Sequence, residues 1–134
     1  MNINFFIHAI VLLIASIEDI KTRNIRNIYC IIILLLNLFT EKVLYKIIIG
    51  VIVFIILALQ KENVMGGGDI KVISCLALYG TGEKMEILNN YIYMIVLSLI
   101  IASIYIKTQR TNKVPYMPCI LTSFIIIYGL LKTI

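Results

Sequence analysis

Long apolar runs separated by short polar gaps constrain this chain more than any other feature of its sequence. Six such runs occupy most of the 134 residues: 3–17, 28–39, 43–59, 70–80, 91–106 and 114–131. Hydrophobic residues make up 61% of the chain and charged residues 14%, whereas soluble domains are about 45–50% apolar and about 25% charged. This composition excludes a soluble globular domain, a disordered chain and a fibrous repeat. We therefore expect one integral-membrane domain over residues 1–134.

The runs predict an all-α fold, namely a polytopic bundle of about six transmembrane helices. A spanning helix needs about 20 residues, with about 17 as the lower bound, so several runs need their flanks to reach that length. The fourth run falls well short, so we expect it either to lie buried among the other helices or to cross the bilayer only in part. Nothing in the pattern alternates as the strands of a membrane barrel do.

The distribution of lysine and arginine favours six spans with both termini outside the cytoplasm. In this topology eight basic residues lie in cytoplasmic gaps and four lie outside. If the fourth run does not span, seven basic residues lie on the cytoplasmic side and five lie outside. The cytoplasmic eight are Lys21, Arg23, Arg26, Lys61, Lys71, Lys107, Arg110 and Lys113. Because the basic residues occupy short gaps between apolar runs, we expect them to orient the chain in the cytoplasmic membrane and to contact anionic lipid rather than nucleic acid.

The three cysteines are Cys30, Cys75 and Cys119, each within or at the start of an apolar run. They form no CxxC pair, so a zinc site is not expected and they are interpreted as small buried hydrophobes. The sequence thus indicates neither a metal nor another cofactor.

Two aspartates are the candidates for chemistry. Asp19 ends the first run and Asp69 opens the fourth, so the six-span topology puts both at the cytoplasmic face, where facing helices would bring their carboxylates together. Two close carboxylates tend to share a proton, because both cannot ionise cheaply. The ionised member can then take a proton from water while the other polarises a carbonyl, as in aspartic proteases. The alternatives are Asp69 as a helix N-cap and Asp19 as a surface partner of Lys21 or Arg23.

Three glycines, Gly66, Gly67 and Gly68, stand directly before Asp69. Glycine tolerates positive φ and lets another backbone approach closely. A protease holds its substrate as an extended strand against its own main chain, and a glycine run beside the acid would allow this. The alternative is a flexible connector. A phosphate-binding loop fits poorly, because the GxxxxGK[ST] spacing is absent.

These motifs resemble those of the type IV prepilin peptidases, a family of integral-membrane aspartic proteases. Residues 66–71, Gly-Gly-Gly-Asp-Ile-Lys, resemble the GxGDxK signature, whose GxGD core is shared with presenilin-type enzymes. Residues 19–27 resemble the stretch in which the first aspartate is followed by basic residues and a terminal Ile-Pro-Asn, and residues 114–118 resemble the proline-containing start of the last helix. Arg26 stands where the family usually has proline, and Met117 stands where glycine is common.

The resemblance implies that Asp19 and Asp69 form a catalytic dyad, with the roles of acid and base left open. The three glycines and Lys71 would shape the loop or contact the substrate. Lys71 would hold the helix end at the lipid interface by snorkelling, contact the substrate or bias the dyad. The implied substrate is a prepilin-like membrane protein (a Flp-type pilin, pseudopilin or archaellin-like precursor), cut at the cytoplasmic membrane boundary during pilus biogenesis. The oligomeric state stays open.

Longer members of that family carry a cytoplasmic module with paired cysteines and N-methyltransferase activity. This chain has a gap of ten residues at that place and no cysteine pair, so it resembles the short, peptidase-only form. The main rival is a small ion- or proton-coupled transporter or channel subunit whose two aspartates line the path. A transporter would more often place its acids near the midplane and show repeated halves. A structural assembly factor and a protease of the signal-peptide-cleaving type are further alternatives.

Overall fold

A computed structural model describes residues 3–60, 66–110 and 114–131 of the chain. These ranges contain helices and no strand, so the prediction of an all-α fold is confirmed. The helices are α1 (Ile3–Thr22), α2 (Ile28–Asn37), α3 (Val43–Ala58), α4 (Gly67–Leu76), α5 (Lys84–Gln109) and α6 (Tyr116–Phe124). A 3-10 turn, Ala77–Tyr79, extends α4, and a π-helical segment, Ile125–Leu130, extends α6.

The chain packs into two compact units, the first made of Met1–Asn24 and Ile92–Ile134 and the second of Ile25–Tyr91. Helices α1 and α6 belong to the first unit, and α2, α3 and α4 belong to the second. Helix α5 begins in the second unit and continues into the first. The expectation of one domain over residues 1–134 stays a prediction.

Helices α1 and α6 form the core of the first unit. The apolar residues of α1 that are buried recur at helical spacing, as in Phe5, Leu12 and Ala15, so they lie on one face of the helix. The ring of Phe5 stacks on that of Phe124 with their centroids 5.5 Å apart. His8 lies on the same buried face of α1, and its Nδ1 lies 2.6 Å from the carbonyl oxygen of Asn4, one turn earlier in the helix.

Helices α3 and α4 pack closely in the second unit because Gly50 has no side chain. A Cβ atom on Gly50 would lie 2.7 Å from the carbonyl oxygen of Ser74, which is too close for any larger residue without a shift of backbone. The beginning of α5 packs on α4 as well, where the buried Tyr91 hydroxyl donates a 2.7 Å hydrogen bond to the carbonyl oxygen of Ile73. These contacts fix the axis of α4, which carries Asp69.

Two helices in the described part of the chain, α1 and α5, are long and apolar enough to cross a membrane. Helix α1 exposes a second apolar stripe, including Ile10, Leu13 and Ile17, each about half exposed. Helices α2, α3 and α6 with its extension are apolar but shorter. Since 16 residues of α3 rise only about 24 Å against a hydrocarbon thickness of about 30 Å, the number of spans stays a prediction.

Candidate active site

Asp69 lies in the first turn of α4, as the third residue of the helix. Gly66 is the N-cap, so the alternative in which Asp69 caps a helix that starts at Ile70 is wrong. Asp69 is 6% exposed and shares a buried face with Val72, Ile73 and Leu76, at spacings of three, four and seven residues. The amphipathic pattern of α4 therefore turns this carboxylate inward, and its place in the first turn puts it at the positive end of the helix dipole.

The three glycines before and within this turn have different surroundings. A Cβ atom on Gly66 would lie 3.2 Å from Oδ2 of Asp69, and one on Gly68 would lie 2.9 Å from Cβ of Ile25. A Cβ atom on Gly67 would have no neighbouring atom within 4 Å. None of the three has a positive φ. Glycine is thus required by close packing at Gly68, is tight against the acid at Gly66, and is not required by packing at Gly67.

The segment after Asp19 packs against this glycine turn. Ile25 is buried, and its side chain and carbonyl oxygen lie over Gly68. Two residues later, Oδ1 of Asn27 accepts a 3.1 Å hydrogen bond from Nζ of Lys71. Asn27 is the N-cap of α2, yet its side chain does not cap that helix. Its oxygen instead links the start of α2 to the start of α4.

Asp19 lies in the last turn of α1, on the buried face that also carries Leu12 and Ala15. It is 4% exposed, so it does not lie in a surface gap, although Arg23 is close enough to interact electrostatically with its carboxylate. Its Oδ2 accepts a 3.2 Å hydrogen bond from the backbone N–H of Met117. Helix α1 ends just beyond it, where Arg23 adopts a left-handed conformation (φ 54°) and its N–H donates to the carbonyl oxygen of Asp19 at 2.9 Å.

Met117 is the second residue of α6, and Pro115 is the N-cap of that helix. A capping side chain normally accepts a hydrogen bond from the second or third N–H of its own helix, and proline has no group to do so. Asp19 supplies that oxygen to α6 from another helix. Because the donor is a backbone N–H, this hydrogen bond does not depend on the methionine side chain.

Sequence reasoning named the two aspartates, the glycines and Lys71 but missed the partners of these residues. The missed residues are Met117, Asn27 and Ile25. The Pro-Tyr-Met-Pro stretch offered a signal for the first, since prolines that begin a helix leave few N–H groups available. Asn27 could have been found because it is an asparagine directly before a predicted helix.

The structure places the two acids in separate units, Asp19 in the first and Asp69 in the second. The carboxylate of Asp19 accepts a hydrogen bond at the N-terminus of α6, and Asp69 lies in the first turn of its own helix, α4. Their association into one dyad stays a prediction. Among the residues that the structure describes, no group of three or more His, Cys, Asp or Glu side chains is placed to hold a metal ion.

The comparisons with known proteins define the class of this helical protein with two acid motifs. A model of the type IV leader peptidase family matches residues 6–107. Prepilin peptidase EppA from Methanocaldococcus jannaschii is 33% identical over 110 residues, which cover 78% of this chain and 32% of that protein. No solved structure matches the chain.

The family model covers well over half of the chain, and on that ground the chain belongs to the type IV leader peptidase family. The matched region includes both acid motifs and ends before Pro115. The chain spans about a third of the length of the curated relative that it matches.

Proposed function

We propose that this chain is a membrane-embedded aspartic endopeptidase that removes the short basic leader of prepilin-like precursors at the cytoplasmic membrane boundary. Membership of the type IV leader peptidase family supports the reaction class. The observation that carries the proposal is the placement of the two acids. Asp19 and Asp69 are both buried, Asp19 accepts a hydrogen bond from the start of α6, and Asp69 lies in the first turn of α4.

The proposed reaction is hydrolysis of one peptide bond by the dyad of Asp19 and Asp69. The ionised carboxylate takes a proton from water, and the resulting hydroxide attacks the carbonyl carbon, which the protonated carboxyl group polarises. The tetrahedral intermediate then collapses, the C–N bond breaks, and the leaving amine takes a proton from the dyad. The roles of base and acid are assigned to the pair rather than to either member.

The glycine turn supports a role in holding the substrate. A Cβ atom added to Gly67 would have no neighbouring atom within 4 Å, and Gly67 is exposed. This leaves main chain accessible two residues before Asp69. An extended leader segment bound along this turn would bring its scissile carbonyl toward the acid. The Asn27–Lys71 hydrogen bond and the Ile25–Gly68 contact hold the turn in place.

The outward face of the helices supports placement in a membrane. Helices α1, α3 and α5 each expose rows of isoleucine, leucine and valine, examples being Ile14, Ile52 and Val96. Soluble monomers rarely expose contiguous apolar patches of this extent. A multi-pass position would put the exposed rows in lipid and leave Asp19 and Asp69 near the polar boundary, where a membrane-anchored precursor presents its leader.

The test is a leader-cleavage assay with the purified chain in liposomes. Three substrates are compared: a Flp-type prepilin, a pseudopilin precursor and an archaellin precursor. Asp19→Asn and Asp69→Asn are the informative variants. Glu18→Gln is the matched control for Asp19 because it is the neighbouring acid of the same turn, and Glu86→Gln is the matched control for Asp69 because it lies in the first turn of another helix, α5.

Both asparagine variants should lose cleavage of at least one substrate, and the double variant should be no slower than either single one, because the two acids act as a unit. Both glutamine controls should cleave like the unmodified chain. Equal cleavage by the unmodified chain and by the asparagine variants would overturn the dyad. A proton flux through the same liposomes that depends on Asp19 and Asp69, with no leader cleaved, would favour the transporter alternative instead.

A further inference from the structure

A groove in the second unit, formed by α2, α3 and α4, is separate from the acids. Its volume is about 350 Å³. Its walls are mainly apolar side chains such as Ile31, Val51 and Phe54, and the described residues that line it include no aspartate or glutamate. The charged groups that line it are two lysines, Lys46 and Lys71. The groove therefore combines an apolar surface with positive charge.

The two lysines lie at opposite ends of the groove. Contacts between Gly50 and Ser74, and between Nζ of Lys42 and the carbonyl oxygen of Gly82, show that α3 and α4 run antiparallel. Lys46 precedes Gly50 by four residues, and Lys71 precedes Ser74 by three. At 1.5 Å per residue the Cα atoms of the two lysines are about 10 Å apart along the helix axes.

Lys46 is the lysine of the groove whose positive charge is least compensated. It is 2% exposed, and within the described residues its ammonium group makes one hydrogen bond, of 3.2 Å to the hydroxyl of Thr40. An ammonium group has three donors, and a neutral hydroxyl does not balance its charge. The nearby charged side chains, Glu41 and Lys42, have opposite signs. A buried cation in this setting favours an anionic ligand.

Lys71, in contrast, is exposed and its ammonium group is bonded to Asn27. The negative group of a ligand is therefore expected at Lys46, and the rest of the ligand must be apolar to match the walls toward Lys71. A slender chain fits the volume better than a protein helix does. A helix about 10 Å in diameter occupies about 900 Å³ over a length of about 12 Å, which is well above the volume of the groove.

We propose that this groove binds an anionic phospholipid, with the phosphate at Lys46 and one acyl chain along Gly50 and Val51. The inference goes beyond the proposed peptidase activity and rests only on the membrane placement proposed with it. Pockets that hold small ligands have volumes of about 300–1,000 Å³, so the groove would hold part of one chain. The bound lipid would cover the contact of α3 with the helix that carries Asp69.

The test measures lipid binding to the full chain in detergent micelles by native mass spectrometry. Phosphatidylglycerol and phosphatidylcholine with identical acyl chains are the probes, so that only the head group differs. Lys46→Gln removes the charge, and Val51→Trp fills the groove from an exposed wall. Lys42→Gln is the matched control, because Lys42 is an exposed lysine at the same end of α3 that does not line the groove.

The unmodified chain should bind phosphatidylglycerol about tenfold more tightly than phosphatidylcholine. Both lipids carry the phosphate, but the quaternary ammonium of phosphatidylcholine cancels the negative charge that the buried lysine requires. Lys46→Gln should abolish this preference, Val51→Trp should weaken both lipids, and Lys42→Gln should change neither. Equal affinities for the two lipids, or an equal loss in Lys42→Gln, would overturn the inference.

Two further readouts keep the outcomes separate. The unfolding midpoint of Lys46→Gln shows whether the variant is folded, and Val51→Trp supplies an independent test should it not be. Leader cleavage is measured on the same preparations. A preference for phosphatidylglycerol in a chain that cleaves no leader leaves the groove assignment intact while the peptidase proposal fails. A Val51→Trp variant with unchanged lipid binding but a raised KM would assign the groove to the substrate and overturn the inference.

Discussion

Replacing Gly68 by alanine, with Gly67→Ala as its control, separates a required glycine from a neighbouring one that is not required by packing. The two residues are adjacent in the first turn of α4, and each substitution adds one methyl group. The gain in helix propensity, up to about 1 kcal/mol for a glycine in a helix interior, is similar for both. A difference between the two variants therefore reports what each methyl group meets.

At Gly68 the added Cβ would lie 2.9 Å from Cβ of Ile25 and 3.3 Å from its carbonyl oxygen. Carbon atoms in good contact are about 3.5–4.0 Å apart, so the methyl group is too close by about 0.6 Å or more. Overpacking of this kind costs about 1–3 kcal/mol. After subtraction of the propensity gain, we expect Gly68→Ala to lower the free energy of unfolding by up to about 2 kcal/mol.

Relief of this clash would displace the segment that contains Ile25. Ile25 is buried and part of the contact is with its backbone, so relief requires movement of the segment itself. Asn27, two residues further, would move with it and weaken the hydrogen bond to Lys71. A displacement of about 1 Å at a site of chemistry can reduce the rate about 100-fold, so we expect kcat/KM for leader cleavage to fall by about 10- to 100-fold.

The assays are unfolding in detergent, followed by circular dichroism, and leader cleavage by the same preparations. Gly67→Ala should unfold at the same or a higher denaturant concentration than the unmodified chain, because its methyl group meets no atom of the chain. Any change in kcat/KM of this variant should therefore occur without a loss of stability. The reasoning is refuted if the two alanine variants unfold at the same denaturant concentration.

Two further substitutions test the partners of the acid motifs. Met117→Pro removes the backbone N–H that donates a hydrogen bond to Asp19, whereas Met117→Ala truncates the side chain and keeps that N–H. The kcat/KM for leader cleavage should therefore be lower in the proline variant than in the alanine variant by about tenfold or more. Asn27→Ala should lower both the unfolding midpoint and kcat, because Lys71 loses its acceptor, and Asn27→Asp should restore both; a failure of aspartate to restore them would contradict the proposed link.

Most of the helices could be predicted from the apolar runs, and their ends could not. The third run, 43–59, agrees closely with α3 (Val43–Ala58). Helix α5 in contrast begins at Lys84, seven residues before the fifth run at 91, because hydropathy marks the apolar part of a helix while the hydrogen bonds of the backbone continue through polar residues. The same effect carries α1 past residue 17 and places Asp19 on a helix.

The identity of the candidate site could be predicted, but its supporting contacts could not. Asp19 and Asp69 stand out as acids at the edges of apolar runs, and the glycine run marks the second one. The hydrogen bond from Met117 to Asp19 joins residues 98 apart, and no local pattern encodes such a pair. The sequence alone does not distinguish the three glycines from one another. Only packing distinguishes two of them: a Cβ atom added at Gly68 would clash with Ile25, whereas one added at Gly67 would meet no atom within 4 Å.

The helix N-termini explain how two carboxylates can be buried near an apolar layer. An aspartate at the centre of a membrane helix costs about 2.5–3.5 kcal/mol, and less toward the edge. A helix N-terminus stabilises a negative charge by about 0.3–1 kcal/mol, and by up to about 2 kcal/mol when partly buried. The Met117 hydrogen bond to Asp19 adds about 1.5–3 kcal/mol if the carboxylate is charged. The dipole and the hydrogen bond both arise from the N–H groups at the start of α6, and together with the nearby Arg23 they offset part of the cost of burying Asp19. Asp69 has the dipole of α4 in the same role.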